Sequence, residues 1–200
     1  MEKPAETTAD LHPLLMQRWS PRAFSERSVP EEVLTALLEA ARWAPSAYNA
    51  QPWRYLVARR EESEAFARLL SVLAGGNQPW ARKAGVLILT VAQTHLPSSD
   101  KPNPHSWHDV GLASAQLTLQ ATMLGLGVHQ MAGFSSDKAR ELFGIPEGFE
   151  PVTAIAVGYP DAPDTLEEPY LSRETAPRSR HPLADLVFKD AWGATRSTGQ

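Results

Sequence analysis

The chain has 200 residues, a net charge of −4 and no cysteine. This length fits one domain, and a chain without cysteine has no disulfides, thiolate catalysis, iron–sulfur clusters or Cys-based zinc sites. No apolar run approaches the roughly 18 residues of a membrane-spanning helix, no secretion signal precedes the first helix, and the negative charge gives no general attraction to nucleic acid. We therefore expect one cytoplasmic domain over residues 1–200, with loose termini at residues 1–8 and 195–200.

The hydrophobic pattern along the chain predicts helices that alternate with strands. Predicted helices span residues 10–17, 31–44, 61–73, 109–124, 136–143 and 182–190, and predicted strands span residues 54–58, 86–92 and 151–158. We expect Asp10 to cap the first helix, Ser28 and Glu31 to form a capping box before the second, and Ser135 or Ser136 to cap the fifth. Helix 109–124 is apolar nearly all round, which predicts a central position. This alternation is typical of layered α/β or α+β domains.

Two basic segments are candidate anion sites. Arg18, Ser20 and Arg22 lie between two predicted helices, where backbone N–H groups are not used by regular structure. Guanidinium groups bind phosphate or carboxylate oxygens in pairs, so this segment can hold an anion. A second run with Arg178 and Arg180 lies near the C-terminus. The alternative for both segments is a solvated basic surface.

Two further segments could contact a planar ligand. The segment with Ser46, Asn49 and Gln51 joins a helix to a strand, and its flanking prolines lower the cost of ordering it around a heterocycle. Its alternative is a loop whose polar side chains satisfy their own backbone. Residues 131–134 contain small residues that let a backbone approach a ligand closely, with a tight turn as the alternative.

The sequence does not support other common functional motifs. The sequence has no glycine-rich dinucleotide fingerprint, no P-loop and no nucleophile elbow. His105, His108 and Asp109 are the only metal-like group, and no third ligand at suitable spacing supports a metal site.

Taken together and in this order, these segments resemble the FMN-dependent nitroreductase family. The resemblance covers about residues 14–187. It is carried by RWSPRAF at 18–24, LEAARWAPSAYNAQPW at 38–53, DVGLA at 109–113, GLG at 125–127, KARELFGIP at 138–146, VGYP at 157–160 and RSRHPL at 178–183.

The resemblance implies an α+β fold, in which helices flank a central antiparallel β-sheet, and an intertwined homodimer with FMN at the subunit interface. The implied cofactor-binding residues are Arg18, Trp19, Ser20, Arg22, Pro45, Ser46, Ala47, Asn49, Asn77, Met131, Ala132, Gly133, Arg178 and Arg180, with Gln51 as a weaker candidate. In the family pattern Arg18 faces the phosphate, Arg22 the ribityl chain and pyrimidine edge, and the C-terminal arginines complete the phosphate site. Residues 45–49 come from the partner subunit, and residues 131–133 pass the reactive edge of the ring.

The resemblance also implies an activity: an oxidoreductase that passes hydride from NADH or NADPH through FMN to nitroaromatics, quinones or similar electrophiles, with ping-pong kinetics and no catalytic acid or base. The alternatives are other flavin chemistry on the same fold, such as reductive dehalogenation or flavin fragmentation, or a non-catalytic flavin-binding module. Trp80 departs from the pattern, since some relatives carry a lysine near that place, so Arg22 would supply the local positive charge alone. Trp80, Trp107 and Phe134 are candidate lid residues, with core packing as the alternative.

Overall fold

The computed structural model describes residues 1–97, 99 and 101–195. Its helices are α1 (Pro13–Gln17), α2 (Glu31–Arg42), α3 (Ser63–Val72), α4 (Gln78–Ala81), α5 (Ser106–Met123), α6 (Ser136–Phe143) and α7 (Tyr170–Thr175). Its strands are β1 (Trp53–Arg59), β2 (Val86–Gln93), β3 (Gly127–Met131) and β4 (Phe149–Gly158), and 3₁₀ turns cover Ala47–Asn49, Pro163–Thr165 and Leu183–Asp185. Within the described ranges, no helix combines the length and the apolar character needed to cross a membrane.

The strands form one antiparallel sheet in the order β1-β2-β4-β3. The β2 strand is buried along its whole length except at Gln93, which agrees with its continuous apolar, β-branched sequence. Its first residue, Val86, pairs with Arg59 on one side and with Val157 on the other. The predicted α+β fold with a central antiparallel sheet is confirmed.

Helices cover both faces of the sheet because successive side chains of β2 point to opposite sides. Leu87 and Leu89 pack in a core with residues of α3, α4 and α6. Val86 and Ile88 pack in a second core with residues of α2 and α5. The central strand therefore joins two hydrophobic layers, and β3 and β1 form the edges of the sheet within the described chain.

Helix α5 is central, as predicted, and begins three residues before the predicted start. Its buried face includes two polar side chains: Ser114 Oγ donates to Val110 O at 2.8 Å, and Thr118 Oγ1 donates to Ser114 O at 2.7 Å. These bonds give both hydroxyl groups a hydrogen-bond acceptor within the helix itself. At its two ends, Trp107 and Met123 remain exposed.

Several short elements were predicted wrongly. The β3 strand was missed, because its five residues include the polar His129 and Gln130 and its backbone is stabilised by pairing with β4. Helices α4 and α7 were also missed; they have four and six residues, too few to show a hydrophobic period. The predicted helix 182–190 is only a 3₁₀ turn at Leu183–Asp185, and its Leu183 and Leu186 are exposed rather than packed.

Helix caps were predicted with mixed success. Ser135 caps α6, where its Oγ accepts a hydrogen bond from Lys138 N at 3.2 Å. The proposed Asp10 cap is wrong, because α1 begins at Pro13 and His12 Nδ1 accepts from Leu14 N instead. The capping box is also wrong: the residue before α2 is the extended Pro30, which makes no side-chain cap bond.

Candidate functional site

A basic cavity of ≈ 300 Å³ lies beside residues 18–22, which we call the basic loop. Its wall consists of Lys3, Arg18, Trp19, Ser20, Arg22, His129, Arg173, Ala176, Pro177, Arg178 and Arg180. The structure thus brings together predicted site residues from both ends of the chain.

The arginines of the basic cavity repel one another. The pKa of Arg18 is held below its ordinary value by burial and by the positive charges of Arg178 and Arg180. The pKa of Arg178 is lowered for the same two reasons, burial and Arg180. Among the described residues, no carboxylate lies within 4.0 Å of these three guanidinium groups. An anion bound here would reduce the repulsion among the three guanidinium groups and would act as their negatively charged partner.

Hydrogen bonds attach the C-terminal basic segment to the N-terminal residues. Arg178 Nη1 donates to Met16 O at 3.0 Å and also to Lys3 O. Lys3 Nζ in turn donates to Glu174 O at 2.6 Å. Arg180 donates only to the neighbouring Ser179 O within the described chain, and Arg18 Nη1 donates to Ser20 Oγ at 3.3 Å. Both side chains therefore keep donors for a ligand.

Sequence reasoning missed Glu174, which holds the basic loop from behind. Its side chain is 1% exposed, and its carboxylate accepts hydrogen bonds from Arg22 N at 3.0 Å and from Ala23 N at 3.1 Å. The Arg22 guanidinium lies 3.9 Å from the same carboxylate. No local pattern marks this glutamate, because its partners are about 150 residues away along the chain.

His129 closes the cavity from β3 and was also missed. Its Nδ1–H donates to Pro21 O at 3.0 Å, and its ring centroid lies 4.6 Å from that of Trp80. Burial, reinforced by the charge of Arg22, lowers the pKa of His129 to about 4, so the ring is neutral at neutral pH. Trp80 is 1% exposed and packs against Phe24 as well, so it is a core residue rather than a lid.

The predicted segment 131–133 contacts Asn77. Asn77 Nδ2 donates to Gly133 O at 3.0 Å, and Ala74 N donates to the same carbonyl at 2.9 Å. A Cβ added to Gly133 would lie 2.8 Å from Asn77 Nδ2, so the Asn77 amide would have to shift to admit a side chain there. The Met131 side chain is buried and Ala132 is exposed. These residues do not line the basic cavity.

Residues 45–51, which we call the polar loop, also lie outside the wall of the basic cavity. Ser46 Oγ accepts from Gln51 N at 3.1 Å, so part of the loop satisfies its own backbone. Tyr48 and Asn49 have φ of 54° and Gln51 has φ of 46°, values that are strained for residues other than glycine. Such strain persists where the surroundings impose it.

Asp109 fixes the polar loop through a hydrogen bond to its backbone. Its buried Oδ2 accepts a hydrogen bond from Ala47 N at 3.1 Å. The described residues hold no group of three His, Asp or Glu side chains suited to a metal ion. The bond connects the first turn of α5 to a loop more than 60 residues earlier.

Comparisons with known proteins agree with this architecture. The model of the nitroreductase family matches residues 15–159, which confirms the resemblance noted from the sequence. A solved structure of an oxidoreductase containing FMN is 36% identical, with a TM-score of 0.89 over 95% of this chain and 96% of that chain. An NADH dehydrogenase of Thermus thermophilus is 30% identical over 86% of this chain and 92% of its own length. An FMN reductase (NAD(P)H) of Bacillus subtilis is 26% identical over 76% of this chain and 66% of its own length.

Proposed function

Because the chain belongs to the nitroreductase family and is an FMN-dependent NAD(P)H oxidoreductase, we propose that it reduces nitroaromatics, quinones or similar electrophiles by a ping-pong cycle. The observation that carries this proposal is the basic cavity, where Arg18, Arg178 and Arg180 converge from both ends of the chain with no carboxylate within 4.0 Å among the described residues. A cytoplasmic location is part of the same proposal and rests on the sequence alone.

The residues of the basic cavity fit FMN. A dianionic phosphate matches the mutually repelling Arg18 and Arg178, since guanidinium groups form paired, charge-assisted bonds with phosphate oxygens. Ser20 offers a hydroxyl beside Arg18. Arg180 is exposed at the rim and can approach the same group. These residues therefore supply charge and donors of the kind that the cofactor's anionic end requires.

The protein contributes orientation and electrostatics. When bound, FMN supplies the two-electron transfer chemistry itself. Arg18, Ser20, Arg178 and Arg180 would hold the phosphate, and Arg22 would supply a positive charge near the ring, which would favour uptake of electrons there. The neutral His129 donates a hydrogen bond from its Nδ1–H to Pro21 O, and so fixes the loop rather than acting as an acid. NAD(P)H and the electron acceptor use one binding face in turn, which is the basis of the ping-pong cycle.

We propose that a second copy of the chain completes each site through its polar loop. Three observations support this. The polar loop lies outside the basic cavity of its own chain. Trp43, Tyr48 and Trp107 around that loop are 71%, 92% and 53% exposed, and exposed aromatic groups of this kind are typical of interfaces. The accessible surface of 11679 Å² also exceeds the roughly 9,300 Å² expected for a compact monomer of 21.9 kDa.

One experiment tests the proposed function. The purified protein is analysed for bound FMN by its visible spectrum, titrated anaerobically with NADH and with NADPH, and then assayed with a nitroaromatic and a quinone. We expect bound flavin, bleaching by a nicotinamide nucleotide, and steady turnover of an acceptor. A protein that takes up no FMN contradicts the cofactor assignment. Flavin that no nucleotide reduces indicates a binding module, and reduced flavin that neither acceptor oxidises indicates other chemistry.

A further inference from the structure

Glu174 is a buried negative charge that contacts the basic loop in the wall of the cavity. Burial lowers the pKa of Lys3 and of Arg22 below their ordinary values, and the negative charge of Glu174 opposes this shift in both. Glu174 lies on α7, beyond residues 15–159 that the family model matches.

The carboxylate is fully committed to one short stretch of backbone. Its Oε1 accepts from both Arg22 N and Ala23 N, and its Oε2 lies 3.0 Å from Arg22 N and 3.9 Å from Arg22 Nη1. A buried carboxylate is costly unless such donors compensate it. These bonds hold the backbone from which the Arg22 side chain projects into the wall of the cavity.

We propose that Glu174 is a positioning residue with two effects on the cofactor site, an inference that rests on the proposed function. It fixes the backbone of the basic loop so that Arg22 faces the bound flavin. Its charge also offsets part of the positive charge that Arg22 presents there, because opposite charges at this separation interact strongly when half-buried. Glu174 thus lowers the preference of the site for reduced over oxidised flavin.

The chain allows these two effects to be separated. In Glu174→Gln, an amide oxygen at the place of Oε1 still accepts from Arg22 N and Ala23 N, while the negative charge and the second acceptor for Arg22 N, Oε2, are lost. In Glu174→Ala, both the acceptors and the charge are lost. Glu168→Gln is the matched control, because this glutamate precedes the same helix and, among the described residues, its carboxylate accepts hydrogen bonds only from the exposed Ser172.

The test measures the dissociation constant of oxidised FMN by fluorescence quenching and the midpoint potential of the bound flavin by equilibration with redox dyes. We expect Glu174→Gln to bind oxidised FMN nearly as wild type does, with a more positive potential that corresponds to about tenfold tighter relative binding of reduced FMN. We expect Glu174→Ala to weaken oxidised FMN binding about tenfold or more. Glu168→Gln should match the wild type in both measurements.

The outcomes are distinct. An unchanged potential in folded, FMN-bound Glu174→Gln overturns the electrostatic effect. Unchanged FMN affinity in Glu174→Ala overturns the positioning effect. If that variant does not fold, Glu174→Asp replaces it, because its shorter side chain withdraws the carboxylate from Arg22 N and Ala23 N, and unchanged FMN affinity there overturns the positioning effect. A wild-type chain that binds no FMN contradicts the proposed function instead.

Discussion

The basic loop and the polar loop are built in opposite ways. The basic loop is anchored by the rest of its own chain: Glu174 accepts its backbone N–H groups, and His129 donates to Pro21 O. The polar loop is attached through the bond from Ala47 N to Asp109 and the bond from Arg54 Nη1 to Gln51 O, and three of its residues have positive φ. One loop ends in a cavity, while the other presents a 92% exposed tyrosine to solvent.

This difference shows how two loops of similar polarity can have different tasks. The basic loop forms part of a cavity wall within one chain, because its charges already converge with the C-terminal arginines. The backbone of the polar loop is strained. Within the described part of its own chain, the loop does not face a ligand cavity. In our proposal it faces the cofactor of the second subunit, so that cofactor binding and dimer formation support each other.

The largest expected effect comes from removing one positive charge of the basic loop. Arg18→Ala should weaken FMN binding by about 2–4 kcal/mol, because the phosphate loses a half-buried guanidinium partner. Isothermal titration with FMN measures this change. Arg82→Ala removes an exposed arginine that is not part of the cavity wall and serves as the control. Equal affinities of the two variants would remove Arg18 from the site.

The next effect tests the anchoring of the basic loop by His129. Its pKa is lowered from 6.5 to about 4, mainly by burial. Between these two pH values, the unfolded chain therefore binds a proton at this side chain, whereas the folded protein does not. This contribution to the unfolding free energy is present above pH 6.5 and is lost as the pH falls towards 4, by up to about 3 kcal/mol. Urea titrations across this range should show a flatter pH dependence for His129→Gln. The same slope in both proteins would show that the imidazole is not held neutral.

A smaller effect concerns the outward face of the polar loop. Tyr48→Ser should weaken the dimer by about 2 kcal/mol, since the aromatic ring would lose its burial against a partner. Sedimentation across a range of concentrations measures the dissociation constant. The monomer's own stability is the internal control, because the side chain is 92% exposed within one chain. An unaltered dimer, or a wild-type protein that is monomeric throughout, contradicts the assignment of this loop to the interface.

The smallest effect sharpens the contact between Asn77 and residues 131–133. Gly133→Ala should destabilise the fold by about 1–2 kcal/mol, because the added Cβ would lie 2.8 Å from Asn77 Nδ2. Gly75→Ala is the matched control, since nothing lies within 4 Å of the position of its added Cβ. Thermal unfolding compares the two variants. Equal stability would mean that Asn77 moves freely and does not restrain this segment.

The sequence determined the features that depend on local pattern. The central strand β2 followed from seven consecutive buried apolar or β-branched residues, and the Ser135 cap followed from a hydroxyl placed before a helical period. The arginines of the basic loop and of the C-terminal segment were also recognisable, because guanidinium groups around a serine carry their chemistry in the residue types themselves.

Only the tertiary structure decided which of these residues meet and what holds them. The β3 strand exists through its pairing with β4, and the predicted C-terminal helix is reduced to a turn where its leucines find no core in this chain. Glu174 and Asp109 gained their roles from backbone N–H groups more than 60 residues away. A buried carboxylate is stabilised by whichever donors the fold brings to it, and no local sequence pattern records that encounter.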